Sequence, residues 1–176
     1  MFFLKKPNSE NIKNVISTLP SSFYRIIQII NDSLKSDFEY KENKSIHYAV
    51  SIGVYQILCL LSFLCIANIK DKNTSKEIQN NLALTLFNER ELSKIGVDDT
   101  NHSFYLELYQ NLTKKCNANS TSDIYGSYSN ICAEFISIEL RANLTDRQKQ
   151  IISTLIKSFS KDLFPSLIAE ALNLKN

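Results

Sequence analysis

The chain has 176 residues, the size of one domain able to bury about 70 % of its unfolded surface around a single core. Apolar residues make up 44 % and charged residues 22 %, while only 3 Gly and 3 Pro leave too few turn formers for an all-β fold. The net charge of +2 comes from 20 basic and 18 acidic residues scattered along the chain, which argues against nucleic acid or an anionic lipid surface as partner.

The apolar positions recur at helical spacing almost from the start. Ile12, Val15, Ile16 and Leu19 share one face of a short helix that Pro20 is expected to end. Ser21 and Ser22 are candidate caps for a second helix striped by Phe23, Ile26, Ile27, Ile30 and Leu34. The charged stretch from Asp37 to Lys44 reads as a connector.

From Ser45 to Ile69 the chain carries no formal charge, and Ser45 is the expected N-cap of a long apolar helix over 46-69. Thr74 and Glu77 have the spacing of a capping box ahead of a helix striped by Ile78, Leu82, Leu86 and Phe87, with Gly96 at or beyond its end. The polar segment from Val97 to Ser103 leads to a fifth helix carrying Phe104, Tyr105, Leu108, Tyr109 and Leu112. Cys116 to Ser122 reads as a long exposed loop. Ile124, Tyr128, Ile131, Cys132 and Phe135 mark a sixth helix. Thr145 and Gln148 form another capping box, opening a helix striped by Ile151, Ile152, Leu155, Ile156, Phe159 and Leu163. Pro165 is expected to cut it, leaving a short terminal helix from Ser166 to Leu174.

The long apolar helix admits two readings. It is long enough for a membrane span over Ala49 to Ala67, since a bilayer needs roughly 20 mostly apolar residues. Lys35, Lys41 and Lys44 on one side balance Lys70, Lys72 and Lys76 on the other, so the positive-inside rule gives no orientation. Against a span stand the wide apolar stripes of the neighbouring helices, which need an apolar partner that a span would remove. The fold expected is therefore all-α: a single-domain bundle of seven or eight helices over 1-176, packed around a central hydrophobic helix.

Cys59 and Cys65 lie inside the apolar run, where free cysteine behaves as a small hydrophobe, so a reduced, intracellular setting is expected, while the sequence leaves the redox state of Cys116 and Cys132 open. The start MFFLKKP is too short in apolar length for a secretory signal, and a cytoplasmic setting is expected. The abundance of Ile, Asn and Lys fits an AT-rich, bacterial genome.

Chemical equipment is sparse. Asp98, Asp99 and His102 form the best polar constellation, yet acidic residues at a helix start are expected from the helix dipole alone. His47 reads as a half-exposed, hydrogen-bonded residue. No C-x-x-C pair, Glu-x-x-His pair, glycine-rich phosphate loop or Gly-x-Ser-x-Gly elbow occurs, so no metal, cofactor or catalytic residue is expected. Lys114, Lys115, Arg141, Arg147 and Lys149 read as solvated or paired charges near helix ends, not as a nucleic-acid surface. Tyr105, Tyr109, Tyr125 and Tyr128 flank the polar segments, and tyrosine is favoured at interfaces. The function expected is non-enzymatic binding of a protein partner, as an inhibitor, immunity-type or adaptor module, with homo-oligomers possible. A membrane-anchored protein and a hydrophobic-ligand carrier with a cavity beside Tyr55, Cys59 and Ser62 are the alternatives.

Overall fold

The computed structural model describes residues 9–36, 40, 43–69, 71–119 and 121–171, with seven helices and no strand among them. The helices are α1 (Ser9–Leu34), α2 (Lys44–Ala67), α3 (Lys72–Leu86), α4 (Glu89–Ser93), α5 (His102–Ala118), α6 (Ile124–Ile138) and α7 (Asp146–Ala171). They form one bundle with α2 at its centre, where it packs against α1, α3, α5, α6 and α7.

Both prolines expected to break helices sit inside them. Pro20 lies within α1 and Pro165 within α7. An interior proline costs roughly 3 kcal/mol through a lost hydrogen bond and a clash with the preceding turn. In α1 the apolar face keeps its register across Pro20: Val15, Ile16, Leu19, Phe23, Ile26, Ile27, Ile30 and Leu34 are all buried. Each such side chain contributes about 1.5–3 kcal/mol on burial, so one continuous helix wins over two short ones. Ser21 and Ser22 are accordingly not caps, and Ser22 Oγ donates to the Thr18 carbonyl at 3.3 Å. In α7, Ile152, Ile156 and Phe164 hold the same kind of register while Pro165 faces solvent. The chain from Ser166 continues α7, and residues 172–174 lie outside the described residues.

Helix starts also shift by a residue or more from expectation. Asn43, not Ser45, caps α2: its Oδ1 accepts from the Ser45 and Ile46 amides at 3.0 and 3.2 Å. Asp71 caps α3 through the Asn73 amide at 3.1 Å, and Thr74 donates to Asp71 instead of capping. Gly96 follows the short α4 at φ +84°, where the Val97 amide reaches the Leu92 carbonyl and the Gly96 amide the Ser93 carbonyl, both at 3.0 Å. The capping box at Thr145 and Gln148 forms in both directions, at 2.9 and 3.3 Å. Of the connector from Asp37 to Lys44, residues 37–39, 41 and 42 lie outside the described residues. The expected loop from Cys116 is shorter, because α5 runs on to Ala118 and buries Cys116.

By length and composition α2 could cross a membrane, yet 78 % of its most apolar window is buried inside the fold. Val50, Val54, Ile57, Leu58 and Leu61 are fully enclosed, as in the core helix of a soluble bundle. Tyr55 donates to the Leu86 carbonyl at 2.9 Å and Gln56 Nε2 to the Tyr105 carbonyl at 3.0 Å, while Ser62 bonds back to the Leu58 carbonyl of its own helix at 2.7 Å. Gly53 lets α6 approach closely, and Cys132 Sγ lies 3.3 Å from the Gly53 carbonyl.

Candidate functional site

The four interface tyrosines expected from the sequence do not form a surface. Tyr105 and Tyr128 are buried in the core, not at the surface expected of interface residues. Tyr109 is half-buried with its ring 5.1 Å from Phe87, and Tyr125 is half-buried, stacked on Phe164 with its hydroxyl 3.4 Å from Cys65 Sγ. The reason is helical phase. On α5 the buried residues are Tyr105, Leu108, Leu112 and Cys116, and this spacing turns Phe104, one position earlier, toward solvent.

Tyr24, Tyr55, Tyr105 and Tyr109 instead gather around the buried Cys59, and burial pushes all four phenols above their ordinary range. Burial also pushes the Cys59 and Cys132 thiols far up and the Cys116 thiol up to about 12. All four cysteines are free, and Cys65 alone is only half-buried. Their thiols stay protonated at neutral pH, which removes the nucleophilic thiolate a catalytic cysteine needs. A disulfide reagent applied to the native protein near pH 8 should therefore modify Cys65 and no other thiol, while denatured protein reacts at every cysteine. Native labelling of Cys59 or Cys132 would show that the core opens at this point.

Asp98, Asp99 and His102 do come together, with Glu89, around a shallow pocket of about 160 Å³. Asp98 is nonetheless occupied with shaping the chain. Its Oδ1 accepts from Thr100 Oγ1 at 2.6 Å, from the Thr100 amide at 2.9 Å and from the Asn101 amide at 3.3 Å. The Thr100 bonds hold its carboxyl below the ordinary range. Among the described residues no three His, Cys, Asp or Glu side chains are placed to hold a metal ion. His47 is half-exposed with Nε2 2.7 Å from the Tyr40 carbonyl, and its ring stacks on Tyr40.

A larger concave feature among the described residues lies at the other side of this connector. A groove of about 580 Å³ runs between the start of α2, the outer face of α5 and the turn after α6. Tyr48, Ala49 and Ile52 of α2, Phe104 and Leu108 of α5, and Leu140 form its apolar lining. Phe104 is 59 % exposed and Tyr48 41 %, large apolar side chains left in water on the rim. Tyr48 is held there by the connector: Asn101 Nδ2 donates to its hydroxyl at 3.1 Å, and that hydroxyl donates to the Gly96 carbonyl at 3.3 Å. The Asp98 turn thus sets the position of a groove residue through Asn101, whose Oδ1 accepts from the Asp98 amide at 2.7 Å.

Comparison with protein-family models, curated proteins and solved structures finds no match. Polar groups at the groove therefore have to speak for themselves. Lys115 of α5 pairs with Glu139 at 2.6 Å and ties the two walls together. Glu107 and Arg141 also line the groove, both exposed and neither in an ion pair with any of the described residues. Arg141 sits at φ 55°, in the left-handed region where a non-glycine residue costs roughly 1–2 kcal/mol. It lies two residues past the Glu139 C-cap, in the turn where the Ala142 amide bonds the Ile136 carbonyl at 3.2 Å. Lys149 pairs with Glu134 and Asp146, both at 3.0 Å. Tyr48, Glu107, Glu139 and Arg141 were not legible as one site, because the groove joins three segments far apart in sequence.

Proposed function

We propose that the protein acts by binding another protein chain through the α2, α5 and α6 groove, without a catalytic step, in a cytoplasmic setting. One observation carries this: a preformed apolar groove whose rim keeps Phe104 and Tyr48 exposed, with Tyr48 fixed by Asn101 and Gly96. Aromatic anchors beside a recess, edged by polar groups, are the anatomy of an interface centre. Rigid placement lowers the ordering cost of association. The carboxylates and thiols that could do chemistry support the same reading, since Asp98 is used as a turn former and the thiols are protonated.

The alternatives fit less well. A hydrophobic-ligand cavity beside Tyr55, Cys59 and Ser62 would need space there, but Phe23 and Tyr24 pack on the Tyr55 ring and all three residues are buried. A membrane anchor would have to pull α2 out of its packing with five other helices.

Affinity capture from the source cells, comparing wild type with Phe104→Ala, tests the proposal. Truncating the exposed ring should cost captured partners about 1–2 kcal/mol of affinity, the range of interface aromatics, with the thermal melt nearly unchanged. Identical recoveries with the two proteins would contradict it.

A further inference from the structure

We infer that the occupant of the groove is a second copy of this chain, paired about a two-fold axis so that Phe104 of each enters the other's groove and Glu107 of each meets Arg141 of the other. This deepens the proposed binding function and rests on it. The argument is self-complementarity. A two-fold interface brings one patch against itself, so whatever residue i offers must suit residue j on the same patch.

The groove meets that requirement in charge, and it carries an exposed ring beside its recess. It holds both a recess and the ring that could fill one, Phe104 on its rim. Of its three charged lining residues, Glu139 is satisfied by Lys115, which leaves one anion and one cation, Glu107 and Arg141. They stand on different walls, α5 and the turn after α6, and neither has an ion-pair partner among the described residues. A strongly acidic or basic partner would find nothing to select it here, whereas a second copy satisfies both charges twice. The backbone adds a second observation. Glycine would sit at position 141 without strain, yet an arginine is held there at φ 55°, lining the groove with no ion-pair partner among the described residues.

Sedimentation velocity on the purified full chain, over about 1 to 100 µM, reads the outcome directly. Wild type should shift from monomer to dimer in this range, and Phe104→Ala should weaken the dimer by about tenfold or more. Arg141→Gly should also weaken it while the melt holds or rises, since the backbone strain is relieved. Glu107→Arg and Arg141→Glu should each break the dimer by setting like charges face to face, and the double variant should restore it. Wild type monomeric throughout would overturn the pairing. So would a dimer that Phe104→Ala and the charge reversals leave unchanged, because its interface would lie elsewhere. If wild type is monomeric but Phe104→Ala still loses partners from the source cells, the second-copy inference fails and the binding function stands. If the dimer forms as described and no other captured protein depends on Phe104, the groove serves self-association alone.

Discussion

Leu58→Asp should leave no folded protein. Leu58 is fully enclosed at the centre of α2, with five other helices closing around that element. A carboxylate there has no cation to pair with, and even after picking up a proton it leaves an unsatisfied polar group, at a cost of several kcal/mol. Losing the leucine adds about 2–5 kcal/mol for removed contacts and the cavity left behind. Against a total stability of about 5–15 kcal/mol for a domain, the sum removes the native state. The variant should show no cooperative thermal transition and a large loss of helical ellipticity, while Leu58→Met, which keeps volume and polarity, should cost less than about 1.5 kcal/mol. Leu64→Asp is expected to be milder, since Leu64 is only half-buried on the same helix. A normal melt for Leu58→Asp would mean that α2 is not the core.

Gly53→Ala should destabilise, against the usual rule for a helix interior. Alanine in place of glycine gains roughly 0.5–1 kcal/mol of helix propensity. Here the new methyl would fall deep inside contact distance of Ile136 Cγ1 and 2.8 Å from its Cδ1. Ile136 is fully buried on α6 and, being β-branched in a helix, has essentially one rotamer, so it cannot swing aside. The α2 and α6 crossing would have to widen, and overpacking of this kind costs about 1–3 kcal/mol. A net loss of about 1–2 kcal/mol is expected by chemical denaturation, and it should shrink when Ile136→Ala removes the obstructing atoms. A stabilised Gly53→Ala protein would show that the two helices do not meet at this glycine.

The fold was legible in the sequence wherever burial repeats at helical spacing. The stripes of α1 and α7 and the apolar run of α2 were read correctly because each apolar side chain adds its own transfer free energy, and such sums outweigh local preferences. The same fact explains the main errors. Pro20 and Pro165 were read as breakers on local grounds, but the apolar register crosses Pro20 without a slip and α7 keeps its buried face up to Phe164. The start of α2 was misplaced by two residues because Asn43, Lys44 and Ser45 offer competing caps, and only the backbone shows that Asn43 takes the amides.

The candidate site was less legible. Phe104 and Tyr105 are adjacent, so only one can face the core, and the sequence does not say which. The bundle buries Tyr105 and exposes Phe104, the reverse of what tyrosine's polar tip suggests. The buried phenol then has no hydrogen-bond partner among the described residues, as is also true of Gln56 Oε1. Asp98, Asp99 and His102 line one pocket, and Asp98 reaches the groove through Asn101, which bonds both Asp98 and Tyr48.

That α2 is a protein core, with the groove exposed to water beside it, is the central claim. Fractionation of expressing cells by ultracentrifugation, with a carbonate wash of the pellet, tests it most directly. The protein should stay in the supernatant without detergent and then melt cooperatively as a helical domain. Quantitative recovery in a carbonate-resistant membrane pellet would contradict the account, because α2 would then lie in lipid and the groove beside its first turns would not exist as described.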